Sequence, residues 1–170
     1  MYNRIENQAI SILKELDINT LPIPIEDIAK RRGVQIKPYD LGEDVSGVLL
    51  IDKDKSVIGY NPTESVVRQR FTIAHELGHF ELHRKYSELF VDKDKPLFRN
   101  QDSSTGEFKR EKEANAFAAA ILMPEHLIQK VANNLGLNFI DEVAIKQLAK
   151  IFNVSQQAMT IRLTKLNLFW

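Results

Sequence analysis

No cysteine occurs anywhere in the 170 residues. Disulfide staples and thiolate metal sites are thereby excluded, so any metal must be held by histidine and carboxylate. The absence also fits a reducing compartment. Charge of one sign is equally lacking: 23 Lys plus Arg balance 23 Asp plus Glu, for a formal net charge of zero. The chain as a whole therefore carries no electrostatic signature of a nucleic-acid or membrane-surface partner, which leaves only local patches to consider. No run approaches the roughly 18 continuous apolar residues of a membrane span. The opening Met1-Tyr2-Asn3-Arg4-Ile5-Glu6-Asn7 lacks the apolar core of a signal peptide. Internal repeats and low-complexity tracts are absent too. Together these absences set the expectation of a soluble cytoplasmic protein with no membrane partner.

What is present is an ordinary globular composition, 44% hydrophobic and 27% charged. The length suits one well-cored domain with or without a small appendage. Ile5, Ala9, Ile12, Leu13 and Leu16 recur at helical spacing. Leu21-Pro22-Ile23-Pro24 breaks that pattern, and Pro24 opens a short helix reaching Gly33. Val34 to Ile36 reads as a strand. Gly47 to Ile51 and Ser56 to Tyr60 read as a hairpin across Asp52-Lys53-Asp54-Lys55, with one of its strands at a sheet edge. Asn61-Pro62-Thr63-Glu64 has the look of a helix start, Asn61 as cap and Glu64 reaching back, for a helix running to about His83. Asp92 to Gly106 is polar and irregular and is expected to be a flexible loop. Helices then follow over about Glu107–Leu122, Glu125–Leu135, Asp141–Phe152 and Ser155–Leu166.

The chemistry concentrates in His75-Glu76-Leu77-Gly78-His79. Histidines four apart on a helix project from one face, one turn apart, and can share one Zn²⁺. Glu76 between them is placed to act as general base on water. Gly78 permits close approach of a second helix. A catalytic zinc needs a third protein ligand and an open position. His83 is a poor third ligand, since its Cα lies about 12 Å from that of His75 at ~1.5 Å per residue. It reads as a solvent-facing or helix-end residue, and His126 as a surface residue. The better source is Glu111-Lys112-Glu113-Ala114-Asn115, where Glu111, Asn115 and Ala118 share one helical face. A carboxylate there completes the site, and Asn115 can hydrogen-bond a ligand histidine from behind. Both glutamates also sit among Lys109, Arg110 and Lys112, where solvated surface charge would be the plainer interpretation if the histidine pair were not there.

Assembled, these residues resemble the ImmA/IrrE family of metallopeptidases. The resemblance rests on Arg70-Phe71-Thr72-Ile73-Ala74-His75-Glu76-Leu77-Gly78-His79 and on Glu111-x-Glu113-Ala114-Asn115-x-Phe117-Ala118-Ala119 running into Leu122-Met123-Pro124. It implies an α+β fold: a mainly helical zincin-like domain over residues 1–135 with a small antiparallel sheet. A helix-turn-helix-like helical pair over 136–170 packs on it. It implies a gluzincin-like site in which His75, His79 and a glutamate bind zinc. In related zincins that glutamate stands four residues before an Asp or Asn, which selects Glu111 with Asn115 and leaves Glu113 as the fallback. The two glutamates point about 160° apart, so both cannot serve. The implied activity is cleavage of a helix-turn-helix repressor.

The tail from Gln147 to Leu166 has the helix-turn-helix pattern around Asn153-Val154-Ser155. Its second helix offers Gln156, Gln157, Thr160, Arg162, Thr164 and Lys165, only two of them basic. Direct duplex binding is disfavoured on that ground, and packing or substrate engagement is the preferred role. The ending Leu166-Asn167-Leu168-Phe169-Trp170 is apolar enough to dock on the body or form an interface. Three functions compete: a zinc endopeptidase, a non-proteolytic sensor or repressor-binding protein that keeps the zinc fold, and a DNA-binding regulator. Tyr60, His83 and Arg70 are candidates for oxyanion stabilisation. Oligomeric state is not legible.

Overall fold

The computed structural model describes residues 2–53, 55–93, 104–139 and 141–168. Helices α1 (Tyr2–Glu15) and α2 (Ile25–Arg31) precede strand β1 (Val34–Pro38). The hairpin strands β2 (Val45–Ile51) and β3 (Ser56–Tyr60) lead into the long helix α3 (Val66–His83). Strand β4 (Leu89–Lys93) follows, then α4 (Ser104–Leu122), α5 (Glu125–Leu135), α6 (Glu142–Phe152) and α7 (Gln156–Lys165). The α+β expectation therefore holds, with one refinement. The sheet order is β1-β3-β2-β4, and β1 runs parallel to β3, so the sheet is mixed rather than antiparallel throughout.

Two further expectations are corrected. The cap of α3 is Ser65, whose Oγ accepts from the Arg68 N–H, and not Asn61. Asn61 instead closes a turn by accepting from both the N–H and the hydroxyl of Thr63, while Ser46 Oγ donates to Glu64. A side chain that satisfies its own turn is no longer available to start a helix. The loop expected over Asp92 to Gly106 is shorter at both ends: Asp92 and Lys93 belong to β4, which lies on the outside of β2, and Ser104 to Gly106 form the first turn of α4. Strand β2 is thus interior, and β4 is the edge on its side of the sheet. Residues 94–103, the middle of the expected loop, and the terminal Phe169-Trp170 lie outside the described residues.

Helix α3 lies in the middle of the molecule. Every residue from Thr72 to Phe80 is buried, because β2 and β3 cover one side and α4 the other. Gly78 makes the close crossing with α4 feasible. A Cβ there would stand 3.1 Å from Phe117 and 3.2 Å from the Ala114 backbone. The small residues Ala114, Ala118 and Ala120 of α4 are themselves fully buried. Small side chains at a helix crossing shorten the interaxial distance, and here that brings the histidines of α3 within reach of a carboxylate on α4. The last two helices end and begin on local signals. Asp141 and Ser155 cap α6 and α7 through their side chains, and Asn153 between them adopts the left-handed conformation at φ 51°. Among the described residues, no helix is long and apolar enough to cross a membrane.

Candidate metal centre

The α3 spacing puts His75 and His79 one turn apart, their Nε2 atoms separated by 3.1 Å. From α4, Glu111 brings one carboxylate oxygen to 3.4 Å from His75 Nε2 and the other to 3.2 Å from His79 Nε2. Atoms bonded at about 2.0–2.1 Å to one tetrahedral cation stand roughly 3.3–3.4 Å from one another. The three side chains therefore converge on a point suited to a metal ion. Both histidines are nearly fully buried, whereas the Glu111 side chain keeps 31% of its surface.

The opposite ring nitrogens are also engaged. His75 Nδ1 lies 3.0 Å from Asn115 Oδ1. An amide oxygen only accepts, so His75 carries its proton on Nδ1 and leaves Nε2 as a lone-pair donor. His79 Nδ1 lies 3.2 Å from His83 Nδ1, and His83 Nε2 lies 3.0 Å from a Glu113 oxygen. With the carboxylate accepting from His83 Nε2–H, His83 Nδ1 is an acceptor for His79 Nδ1–H. His79 then also turns a lone pair toward Glu111. One network thus fixes both tautomers in the form a cation requires.

Titration follows from the same contacts. Burial favours the neutral form of each histidine. For His79 that effect dominates and its pKa is lowered, while at His75 hydrogen bonding to Glu111 and the charges of Glu76 and Asp92 outweigh it and the net direction is upward. Burial alone would raise Glu111, but the His75 and His79 rings, which donate to it from Nε2–H only when protonated, hold it far below the ordinary carboxylate range. Glu76 behaves oppositely. Both its oxygens are buried with no hydrogen-bond partner, and burial, with the neighbouring carboxylates Asp92 and Glu111, pushes it up to about 8. A buried carboxyl group raised that far keeps its proton at neutral pH unless an opposite charge is placed beside it.

Sequence reasoning assembled His75, Glu76, His79, Glu111 and Asn115 in one place, and the structure brings the five together. His83 is the last residue of α3, as one of its two readings had it, but it is buried and stands behind His79 rather than facing solvent. Glu113 is neither surface charge nor a neighbour of Glu111's target, since its side chain is only 12% exposed and pairs with His83. His83 and Arg70 leave the list of oxyanion candidates, because Arg70 donates to the carbonyls of Asn153 and Ile23. Two residues were missed. Phe90 of β4 stacks on His79 at 4.5 Å, and Asp92 comes close enough to form a second potential metal-binding trio with His75 and Glu76. The only signal for them was the short Leu89-Phe90-Val91 run. Arg68 binds Asp92 at 3.4 Å, which favours Asp92 as an anchor of β4 over a ligand.

Comparison with known proteins gives a consistent result. Residues 29–164 match the peptidase family described as "IrrE N-terminal-like domain". The chain is 28% identical over 167 residues to metallopeptidase ImmA of Bacillus subtilis, covering 97% of this chain and 87% of that protein. It is 33% identical over 117 residues to the radiation response metalloprotease IrrE of Deinococcus radiodurans, covering 67% of this chain and 32% of that protein. A solved structure titled as a transcriptional regulator from Mycobacterium tuberculosis superposes with TM-score 0.63 at 20% identity, and this chain spans 47% of it. That last likeness concerns the fold alone.

Proposed function

The chain belongs to the IrrE N-terminal-like peptidase family and is a metallopeptidase, and from that premise we propose that it is a zinc-dependent endopeptidase acting on a helix-turn-helix repressor in the cytoplasm. His75, His79 and Glu111 hold the ion in this reading, and Glu76 is the general base. The observation that carries it is the trio of side chains, the two Nε2 atoms 3.1 Å apart and each 3.2–3.4 Å from one Glu111 oxygen, with both histidine Nδ1 atoms already engaged. Two imidazoles and one carboxylate form the set zinc takes in catalytic sites, with room for a fourth position.

Bound Zn²⁺ supplies Lewis acidity, polarising a carbonyl and acidifying water. The remaining chemistry belongs to side chains. Positive charge at the trio favours the carboxylate form of Glu76 and offsets the burial that raises it. Glu76 then removes a proton from water and returns it to the departing amine, the exchange expected of a base tuned toward neutrality. Strand β4 offers its outer edge beside His79, so an extended substrate segment can add to the sheet there rather than at Gly47 to Ile51. The repressor as substrate follows from the resemblance to ImmA/IrrE proteins.

The test is co-incubation with the helix-turn-helix repressor encoded nearest the chain. Wild type with zinc should release two fragments. Glu76→Gln should bind zinc normally and cleave at least 100-fold more slowly, consistent with general-base contributions of about 10²–10⁴. A chelator should abolish cleavage. Fragments that persist in Glu76→Gln or under chelation would sink the mechanism. Zinc binding and regulation without any cleavage would favour a sensor instead.

A further inference from the structure

Two buried groups on neighbouring turns of α3 lack hydrogen-bond partners among the described residues: the Thr72 hydroxyl and the Glu76 carboxylate. Both residues are fully enclosed. A threonine inside a helix ordinarily donates to the carbonyl four residues back, and Thr72 makes no such bond. A spacing of four puts the two side chains on one helical face. Helical side chains lean toward the preceding turn, which carries Glu76 toward Thr72. Strand β2 closes that face: a Cβ on Gly47 would collide with Thr72 Cγ2 and stand 3.2 Å from Glu76 Oε1, so both side chains adjoin one point under the strand. Other donors in the neighbourhood are committed elsewhere. His75 Nδ1 faces Asn115 and its Nε2 faces Glu111. Arg68 serves Ser46, Asp92 and Glu64, and Ser46 donates to Glu64.

We propose that Thr72 is a positioning residue, whose hydroxyl donates to one Glu76 oxygen and so aims the other at the water that the base deprotonates. A turn of about 120° about the Cα–Cβ bond puts the hydroxyl where the methyl stands, on the side of Gly47 and Glu76. A hydrogen bond to a charged acceptor is roughly twice as strong as a neutral one, and an enclosed carboxylate has no water to replace it. The threonine hydroxyl keeps its own proton, so Thr72 orients the base and transfers nothing. The effect on cleavage rests on the reading of Glu76 as general base. The contact itself rests on Thr72, Glu76 and Gly47 alone.

Thr72→Val keeps the shape of the side chain and removes the hydroxyl, whereas Thr72→Ser keeps the hydroxyl. In zinc-loaded full-length protein with the repressor as substrate, Thr72→Val should lower kcat about 10- to 100-fold, the effect of one hydrogen bond to a charged group, with KM unchanged. Thr72→Ser should recover most of that loss. Both should take up zinc and melt as wild type does, because the hydroxyl makes no contact that holds the fold. Should Thr72→Val melt low, Thr72→Ala set against Thr72→Ser makes the same comparison. Infrared difference spectra against Glu76→Gln isolate the Glu76 carboxylate stretch without any turnover. That band should move in Thr72→Val and hold its place in Thr72→Ser. A band untouched by Thr72→Val would overturn the proposal, and so would an unchanged kcat in a protein that cleaves. A band that moves as expected in a protein that cuts nothing keeps the contact and removes the protease reading. A chain that takes up no zinc removes both.

Discussion

At the scale of single residues, the instructive side chain is His83. Helical spacing sets it apart from the His75–His79–Glu111 cluster and places it at the helix end, where it is found, but it does not face solvent: it is buried between His79 and Glu113. Periodicity tells where a side chain points and not what lies there. Helix α3 is enclosed from Thr72 to Phe80, and at its last residue the Glu113 side chain of α4 closes over His83. That His75 and His79 face one point was legible because a pair four apart on a helix needs only local geometry. The Glu113–His83–His79 relay was not, because it depends on how α4 crosses α3. The relay has a measurable consequence. His83→Phe keeps the volume but leaves His79 Nδ1–H buried without an acceptor, and Glu113→Gln weakens the charge that orients His83. Each should lower zinc affinity by roughly 10- to 100-fold in competition with a fluorescent chelator. His126→Ala, at an exposed position on α5, should leave the affinity as it is. Unchanged affinity in His83→Phe would remove the relay from the site.

At the scale of elements, the site depends on β2 passing directly over α3. Gly47 is the residue that permits it: a Cβ there would collide with Thr72 Cγ2 and stand 3.2 Å from Glu76 Oε1. The β2–β4 register shifts at the same place, between Val45 and Gly47, which turns Ser46 inward to donate to Glu64 and accept from Arg68. A bulge beside an active site that re-aims one side chain is a common use of that irregularity. The hairpin itself could be read from two apolar runs around a charged turn. That β2 is interior could not, because β4 is only five residues long and its pairing is decided by tertiary packing. Gly47→Ala should cost about 1–3 kcal/mol in urea unfolding, the range for forcing one methyl into a packed region. Because the nearest atoms include the Glu76 carboxylate, peptidase activity should fall further than the lost stability explains. Zinc content should be retained, since no ligand atom is touched. An active Gly47→Ala protein would show that Glu76 does not require this strand above it.

At the scale of the whole molecule, the first and last helices are joined through one guanidinium. Arg162 of α7 is buried, donates to the Met123 carbonyl at 2.9 Å and makes two contacts with the Glu6 carboxylate of α1. Sequence reasoning counted Arg162 among the side chains that a DNA-reading helix would offer. Its place inside the fold withdraws one of the two basic residues of α7 from that role, which supports packing on the body as the use of residues 136–170. We propose on this basis that the tail does not separate from residues 1–135 as an independent domain. The balance of energies makes the idea testable. Removing one partner of a buried ion pair leaves the other unpaired and costs roughly 3–5 kcal/mol, whereas replacing both with apolar residues is often close to neutral. The Glu6 side chain keeps 23% of its surface, so water recovers part of the loss. Arg162→Leu should therefore lower stability by about 2–4 kcal/mol, and Arg162→Leu with Glu6→Leu should regain most of it. Both should unfold in a single transition by circular dichroism and amide hydrogen exchange alike. A Glu6→Leu, Arg162→Leu protein whose tail melts first, in a separate step, would show that the ion pair is what makes the two parts one cooperative unit.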